Sequence, residues 1–254
     1  MTLSAGHAGL LLAAGLGAGV VNGVAGGGTL ISFPALMAAG YPALRANVTS
    51  TIGIWPGYLG GSAGFRKEIV AQRMRLRGLA PSMVVGAVLG GVLLLTTPSR
   101  GFRRLAPFLL LSACALFALQ PYVTAYFHRS GTAQRTKNAI LHAGSLAAAT
   151  YGAYFGAGLG VLLLALLATT LPEPLTRVNG LRSVMSLIIN TVAALVFVVH
   201  AHVAWAAAGL MAASALAGGY VGARAARVIP SWCVRVFVIA VGIASAADLL
   251  ASQH

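Results

Sequence analysis

The sequence predicts an all-α, polytopic membrane protein that consists of two helical halves in an inverted-topology repeat, each half with one short broken helix. Three observations lead to this prediction. Of the 254 residues, 58% are hydrophobic and 8% are charged, which leaves too little polar surface to cover a soluble globule of this size. Apolar segments long enough to span a bilayer recur along the whole chain. Rare residues of the first half recur in the second half at one constant offset.

Eight full-length apolar segments and two short ones follow one another along the chain. The full-length segments lie near 3–25, 48–65, 79–97, 104–127, 139–157, 183–200, 203–223 and 232–250, and the short ones at 29–40 and 160–171. A dozen helical residues rise about 18 Å, less than the hydrocarbon core of roughly 30 Å, so neither short segment spans the bilayer without its flanks. The first segment is predicted to be a span and not a cleaved signal peptide, because no charged region precedes it and no soluble domain follows it.

The second half of the chain repeats the first. The predicted units are an N-terminal transmembrane repeat (1–127), a basic cytoplasmic linker (128–138) and a C-terminal transmembrane repeat (139–254). One shift of the chain along itself, which we call the repeat shift, superposes Arg45 and Asn47 on Arg177 and Asn179 without a gap. Further pairs match at the repeat shift: Gly26 and Gly158, Gly28 and Gly160, Pro42 and Pro174, Thr51 and Ser183, Gly86 and Gly218, and Gly90 and Gly222. Because Arg, Asn and Pro are rare in this chain and match in order, chance agreement between two apolar stretches does not explain them.

The distribution of Lys and Arg predicts that the two halves are inverted. If each short segment crosses together with its glycine-rich lead-in, most basic residues share the cytoplasmic side, and Arg45, Arg100, Arg103 and Arg104 lie opposite. If the short segments dip in and return, the basic residues divide almost evenly between the two sides. Crossing is therefore favoured, with the N-terminus and residues 198–209 outside and the basic loop 66–77 in the cytoplasm. These two loops correspond at the repeat shift, so equivalent loops lie on opposite faces.

Glycine-rich stretches precede both short segments, "AGGGTL" at 25–30 and "GAGLGVL" at 156–162. Broken helices at corresponding places of an inverted repeat indicate a secondary transporter whose substrate site lies near the midplane. Helices that begin after Gly28 and Gly160 would direct N–H groups and positive dipole ends towards a cavity, and such ends attract anions. Tight helix packing is the alternative role of glycine, and it is favoured for Gly86, Gly218 and others inside full-length spans.

The stretch "GVAGGGTLISFPALMAAGYPALRANVTSTIGIWPGYLGGSAGFRKE" (23–68), with "YGAYFGAGLGVLLLALL" and "RVNGLRSVMSLIIN" in the second half, resembles the sulfite exporter TauE/SafE permeases. This family is also called the 4-toluene sulfonate uptake permease (TSUP) family. The resemblance covers nearly the whole chain, and the A-N-x-T-S-T…W-P-G run is its most specific part. It implies a permease that moves sulfite, sulfonate, sulfoacetate, thiosulfate or a similar anion across the bacterial inner membrane by alternating access. The identity of the anion and the direction of transport stay open, and an anion channel or a non-transport membrane assembly component are the alternatives.

The candidate substrate-binding residues are mostly neutral donors near the two broken helices. A sulfite or sulfonate presents acceptor oxygens and negative charge, so its site needs N–H and O–H donors with little competing negative charge. The selected residues are Gly26, Gly27, Gly28, Thr29, Asn47 and Thr51 in the first half and Gly158, Gly160, Asn179 and Ser183 in the second, with Thr49, Ser50 and Ser186 beside them. Asn47 and Asn179 either hold the anion or cap the spans that follow them.

Other polar and aromatic residues have two interpretations each. Asn22 and Asn190 lie inside spans and either line the cavity or form an interhelical hydrogen bond. Tyr58, together with Trp55 and Tyr154, either stacks on an organic sulfonate or packs in the core.

Arg45 and Arg177 lie nearer opposite membrane faces. They either attract the anion at the two mouths or extend to lipid headgroups as interfacial anchors.

The chain contains three acidic residues, and none of them is predicted at the membrane midplane. Glu68 and Glu173 lie in loops and Asp248 lies near the C-terminal end, so no carboxylate is available there to carry protons or hold a cation. His142 is the intramembrane titratable candidate, although packing is its more common role. An anion facilitator, or a carrier whose coupling ion is bound by neutral oxygens, is therefore favoured.

No catalytic, cofactor-binding or metal-binding pattern is present in the sequence. The protein is therefore predicted not to be an enzyme and to need neither a cofactor nor a metal ion. Cys114 and Cys233 fall in apolar segments and are interpreted as small hydrophobic residues. The formal net charge of +14 is explained by topology and lipid headgroups, and not by nucleic acid. The expected partners are a small anionic substrate and membrane lipids, and a homo-oligomer is left open.

Overall fold

The computed structural model of the protein describes residues 4–24, 26–127, 134–225 and 231–251, and within them all regular secondary structure is helical. Eight of the described helices have 20 to 29 residues, and two short apolar helices follow the glycine-rich stretches. The helices are α1 (Ala5–Val24), α2 (Thr29–Ala38), α3 (Ala43–Gly64), α4 (Arg66–Ala71), α5 (Arg73–Thr96), α6 (Ser99–Phe127), α7 (Gln134–Tyr154), α8 (Leu159–Thr170), α9 (Leu175–His200), α10 (Trp205–Ala225) and α11 (Ser231–Ala251). The predicted all-α, polytopic membrane architecture is confirmed.

Six of the eight long helices are also apolar enough to cross a membrane: α1, α5, α6, α9, α10 and α11. The other two, α3 and α7, fill the predicted spans 48–65 and 139–157 but carry more polar side chains. In α3 most residues are buried against other helices, including Asn47, Ser50 and Ser62. A helix that contacts protein and not lipid can carry polar groups, because its neighbours satisfy their hydrogen bonds.

The connecting segments differ from the prediction in two places. The expected loop 66–77 is helical, since it contains α4 and the first turn of α5. Glu68 in the first turn of α4 favours this helix by interacting with its positive end. Residues 128–133 of the predicted linker lie outside the described residues, and α7 already begins at Gln134.

Six of the eight long helices form two groups of three, and the other two, α6 and α11, pack against each other. Helices α1, α3 and α10 pack on one another, and so do α5, α7 and α9. Within the first group all three helices run parallel, because the residue numbers of contacting pairs rise together along both helices. The close approaches that show this are Gly15 with Met211, Gly19 with Ala215, Gly23 with Ala223, Gly57 with Gly19, and Gly61 with Gly23.

The second group is parallel in the same way. Between α5 and α7, Gly86 contacts Leu146 and Gly90 contacts Thr150. Between α5 and the two ends of α9, Arg75 contacts Glu173 and Gly91 contacts Val196. Because α7 and α9 run parallel, the chain between them must return to the end of the bundle where α7 begins. Residues 155–158 and α8 make this return, and residues 24–28 and α2 do the same between α1 and α3.

The two groups run in opposite directions. Where α3 meets α9, Ser62 lies 3.1 Å from Ser183 (Oγ to Oγ), and the Trp55 indole donates to Thr191 at 2.8 Å. Residue numbers therefore rise along one helix as they fall along the other. Helices α3 and α9 occupy equivalent positions, since their first residues, Ala43 and Leu175, coincide at the repeat shift. Each group also takes one helix from the other half of the chain, α10 in the first group and α5 in the second, so the halves interlock.

Candidate functional site

The two glycine-rich stretches meet inside the bundle. The Gly160 N–H donates to the Gly26 carbonyl at 3.1 Å, and a Cβ at Gly26 would lie 2.6 Å from the Gly160 Cα. Gly26 and Gly158 have φ values of +80° and +79°, in the left-handed region that glycine adopts without strain. The starts of α2 and α8 therefore lie next to each other, and this approach requires glycine at position 26.

The N–H groups at these helix starts are used within the protein. Gly28 N–H donates to the Asn22 Oδ1 at 2.7 Å, from the last turn of α1. Gly160 N–H is taken by the Gly26 carbonyl. The sequence predicted that both would face a cavity, and the structure instead pairs them internally because buried donors need acceptors. Gly27 packs on the ring of Phe117, and Thr29 is buried beside Gly156.

A cluster of polar side chains lies where α1, α3 and α9 come together, and we name it the central polar cluster. It consists of Asn22, Tyr58, Arg182 and Asn190. The Tyr58 hydroxyl faces the side-chain amides of Asn190 and Asn22, and the Arg182 charge is near enough to interact with it electrostatically. Asn190 Nδ2 donates to the Ser186 carbonyl at 2.9 Å. Asn22 Nδ2 is buried without a hydrogen-bond partner, so the cluster contains an unused donor.

Arg182 is the charged member of the central polar cluster and is only 2% exposed. Its Nη2 donates to the carbonyl of Val24, the last residue of α1, at 3.3 Å. Among the described residues, the ion pairs are those of Glu173 with Arg75 and Arg177, so Arg182 has no carboxylate partner there. Ser183, the next residue, pairs with Ser62 of α3 at 3.1 Å.

Sequence reasoning missed Arg182 because it counted this residue among the basic residues of the cytoplasmic side. One signal was available. Arg182 lies seven residues after the start of α9 at Leu175, inside a long apolar helix, where a charge is costly. The repeat also matches it with Ser50, so the two halves differ in charge at this position.

Asn47 has a capping role in the other group of helices. Its Nδ2 donates at 2.9 Å to the carbonyl of Tyr154, the last residue of α7, and its Oδ1 is buried without a partner. Thr51 donates back to the Asn47 carbonyl at 3.1 Å and so does not point a free donor into a site. Ser50 pairs with Ser32 of α2 at 2.5 Å. Asn47 and Arg182 thus each satisfy the last carbonyl of a helix that ends at a glycine-rich break.

The structure does not bring Asn47 and Asn179 onto one ligand. Both lie near the starts of α3 and α9, which run antiparallel, and Gly180 packs beside Phe65 at the far end of α3. From residue 47 to residue 65 the helix rises about 27 Å, at about 1.5 Å per residue. Asn179 is only partly buried, whereas Asn47 is fully buried.

Comparison with known proteins identifies the family. A family model described as "Sulfite exporter TauE/SafE" matches residues 11–249. The chain belongs to the TauE/SafE family. It is 24% identical to a probable membrane transporter protein of Haemophilus influenzae over 96% of this chain and 94% of that protein. It is 23% identical to the probable membrane transporter protein YfcA of Escherichia coli K12, over 97% of this chain and 90% of that one.

A third relative, the probable membrane transporter protein ORF9 of Sinorhizobium, is 25% identical over 92% of this chain and 88% of that protein. No solved structure matches the chain at a significant level. This TauE/SafE protein is therefore a membrane transporter, and its six apolar helices make it a multi-pass membrane protein, as predicted for the bacterial inner membrane.

In this TauE/SafE protein, the two arginines that were predicted to lie nearer opposite membrane faces, Arg45 and Arg177, are at opposite ends of the bundle. Arg177 is exposed, and its Nη1 lies 3.1 Å from Glu173, which also contacts Arg75 at 3.3 Å. The hydrogen bond from Arg177, and that from Arg75, hold the pKa of the Glu173 carboxyl below its ordinary value. Arg45 lies at the opposite end of the bundle, 5.7 Å from the centre of the Tyr41 ring.

Other predicted residues of this family member have structural partners. The indole of Trp55 donates to Thr191 at 2.8 Å, and Tyr154 packs edge-on against Phe102. His142 is exposed and lies 3.2 Å from the Ser82 hydroxyl. A cavity of about 720 Å³ between α1, α2 and α11 is lined mainly by apolar side chains and does not include the central polar cluster.

Proposed function

We propose that this protein is a secondary transporter that moves a small sulfur-containing or organic anion across the inner membrane by alternating access. The anion belongs to the sulfite, sulfonate, sulfoacetate or thiosulfate class. The observation that carries the proposal is the buried Arg182 guanidinium, which has no carboxylate partner among the described residues. A buried charge without a partner costs several kcal/mol, of the order of the penalty for one desolvated ion. An anion that binds and leaves would compensate this charge only while it is being carried.

The neighbours of Arg182 support an anionic ligand with several acceptor oxygens. The guanidinium presents its donors in a fork that matches such oxygens. Asn22 contributes an unpaired Nδ2, and the Tyr58 hydroxyl faces the Asn22 amide within electrostatic range of Arg182. The central polar cluster contains no acid, so nothing in it repels an anion.

Alternating access is supported by the arrangement of the helices. The two parallel groups run in opposite directions and meet mainly along α3 and α9. Both helices contribute to the central polar cluster, so tilting one group against the other would open the cluster first to one end and then to the other. The same opposite directions support an inverted repeat across the membrane.

Ligand binding to the purified protein tests the proposal. Sulfite, thiosulfate, sulfoacetate and an aromatic sulfonate are added separately, and the shift in melting temperature is measured, since a bound substrate raises stability by mass action. We expect at least one of these anions to stabilise the protein. Arg182→Gln should weaken its binding about 10- to 150-fold, the equivalent of a hydrogen bond to a charged group of about 1.5–3 kcal/mol.

Two matched variants make this test specific. Arg182→Lys keeps the charge but not the fork and should retain part of the affinity. Arg224→Gln removes a surface arginine that stacks on Tyr220 and should bind like the wild type. The substrate class is wrong if none of the four anions stabilises the protein, and the site is wrong if Arg182→Gln binds the stabilising anion normally.

A further inference from the structure

The two ends of the bundle carry pockets at equivalent positions of the repeat. At one end, a pocket of about 410 Å³ is lined by Gln72, Arg75, Glu173 and Arg177, among others. We name it the Glu173 mouth. Its carboxylate lies between two guanidinium groups, 3.3 Å from Arg75 and 3.1 Å from Arg177. In the Glu173 mouth, the two guanidinium groups therefore bind a carboxylate of the protein itself.

At the opposite end, a pocket of about 320 Å³ is lined by Arg45, Ser99, His200 and His202, among others. We name it the His200 mouth. Arg45 is the equivalent of Arg177 at the repeat shift, and the equivalent of Glu173 is Tyr41. The His200 mouth thus retains the arginine of the repeat and lacks its carboxylate.

The groups that face the His200 mouth are cationic or neutral. Helix α3 contributes Arg45, the end of α9 contributes His200, the segment before α10 contributes His202, and α5 contributes Leu95. Helix α6 begins here with Ser99, and the ring of Tyr41, before α3, lies 5.7 Å from the Arg45 guanidinium. Helices α3 and α6 begin at this end, whereas α5 and α9 end at it, so their dipoles oppose one another and the positive charge of this mouth comes from side chains.

The three acids of the chain lie elsewhere. Glu68 packs beside Gly180, Glu173 fills the opposite mouth, and Asp248 lines the apolar cavity between α1, α2 and α11. No Asp or Glu side chain therefore lines the His200 mouth in the part of the chain that the structure describes.

We propose that the His200 mouth binds an oxyanion from outside the protein, in the place that the Glu173 carboxylate fills in the other mouth. The ligand is a sulfate-, sulfonate- or phosphate-type group, whose oxygens accept from the Arg45 guanidinium and the two imidazoles. This site is distinct from the central polar cluster, because Arg45 and Tyr58, the α3 member of that cluster, are separated by about 20 Å of α3, at about 1.5 Å per residue.

Inorganic sulfate is the probe for the first experiment. The full-length protein, labelled with ¹³C at histidine, is purified in neutral detergent and titrated with sulfate. The signals of His200 and His202 are assigned with the His200→Gln and His202→Gln variants. We expect saturable shifts of both signals.

Variants of the two mouths give the comparison. Arg45→Gln should raise the Kd for sulfate at least tenfold, and Arg177→Gln should leave it unchanged because Arg177 lies at the other end. Glu173→Gln removes the built-in carboxylate and should add one bound sulfate per chain in equilibrium dialysis. Absence of sulfate-dependent shifts at both signals, or wild-type affinity in Arg45→Gln, would overturn the proposal.

A second arm identifies the source of the oxyanion. The same signals are compared in nanodiscs of phosphatidylcholine and of phosphatidylglycerol. Shifts induced by phosphatidylglycerol that block the sulfate response would support an oxyanion site occupied by a lipid phosphate, and an unchanged sulfate response would support a soluble ligand. The result is independent of the proposed transport site, since Arg182 does not line this pocket.

Discussion

Two side chains that are not equivalent in the repeat perform the same structural task. Arg182 donates to the last carbonyl of α1, and Asn47 donates to the last carbonyl of α7. Both helices end at a glycine-rich break, where the final carbonyls lose their helical partners and need other donors. In one half this donor is charged and in the other it is neutral. The two halves therefore offer different chemistry to a ligand although their helices match.

The pair Asn47 and Asn179 gives a prediction at the residue scale. Neither caps its helix, because the N-caps of α3 and α9 are Pro42 and Pro174. Asn47→Asp sets a buried carboxylate against the Tyr154 carbonyl and removes its donor, which costs about 1–3 kcal/mol or more. We expect the melting temperature to fall by about 2–12 °C for a chain of this size. Asn179→Asp is the matched control and should change it little, since this side chain is partly exposed. Equal melting temperatures for the two variants would show that the Asn47 contact is unimportant.

At the scale of the elements, α2 and α8 depend on the glycines before them for different reasons. A Cβ at Gly26 would lie 2.6 Å from the Gly160 Cα, whereas a Cβ at Gly158 has its nearest neighbour at 3.5 Å. Both positions have positive φ, but only Gly26 lies at a backbone-to-backbone contact. The contact between the two short helices is therefore more sensitive to Gly26 than to Gly158.

Alanine substitutions measure this difference. Gly158→Ala should cost about 1–2 kcal/mol, the strain of a side chain in the left-handed region. Gly26→Ala should cost clearly more, because the backbone must also shift to make room. Gly209→Ala is the control in α10, where no atom lies within 4 Å, and it should be neutral or stabilising by up to about 1 kcal/mol. Thermal unfolding of the three purified variants gives the order, and a Gly26→Ala variant as stable as Gly158→Ala would contradict it.

At the scale of the whole molecule, the bundle is held together because α5 packs among helices of the second half and α10 among helices of the first. Each group of three parallel helices contains one helix from the other half, so neither half has its complete packing surface alone. Many of the contacts in the first group join glycine backbones, such as Gly57 with Gly219. Small residues permit this close approach, which provides van der Waals packing where lipid provides no hydrophobic drive.

Cysteine labelling tests the helix directions in the membrane. Helices α5 and α9 are parallel, so Arg73 at the start of α5 and Ala201 after the end of α9 lie at opposite ends of the bundle. In a background of Cys114→Ala and Cys233→Ser, we expect a cysteine at position 201 to react with an impermeant maleimide in intact cells. A cysteine at position 73 should react only after permeabilisation, because the basic residues near it favour the cytoplasm. Reaction of both from one side would contradict the inverted repeat.

The sequence alone determined the positions of the helices and the family. The long helices, the two short helices and the glycine breaks follow from hydropathy and repeat, which depend on residues close together in the chain or on a constant shift. The resemblance carried by the 23–68 stretch is confirmed by the family match over residues 11–249.

Only the tertiary structure decided which polar residues meet. Asn47 and Asn179 are equivalent in sequence, yet the opposite directions of α3 and α9 separate them by about 27 Å of helix. Arg182 was grouped with cytoplasmic basic residues, yet the rotation of α9 turns it inward to the end of α1. Helix direction and rotation are set by packing against segments far away in the chain, as Arg182 and Val24 illustrate. Hydropathy and spacing record how apolar a segment is, but not which neighbour each of its faces will contact.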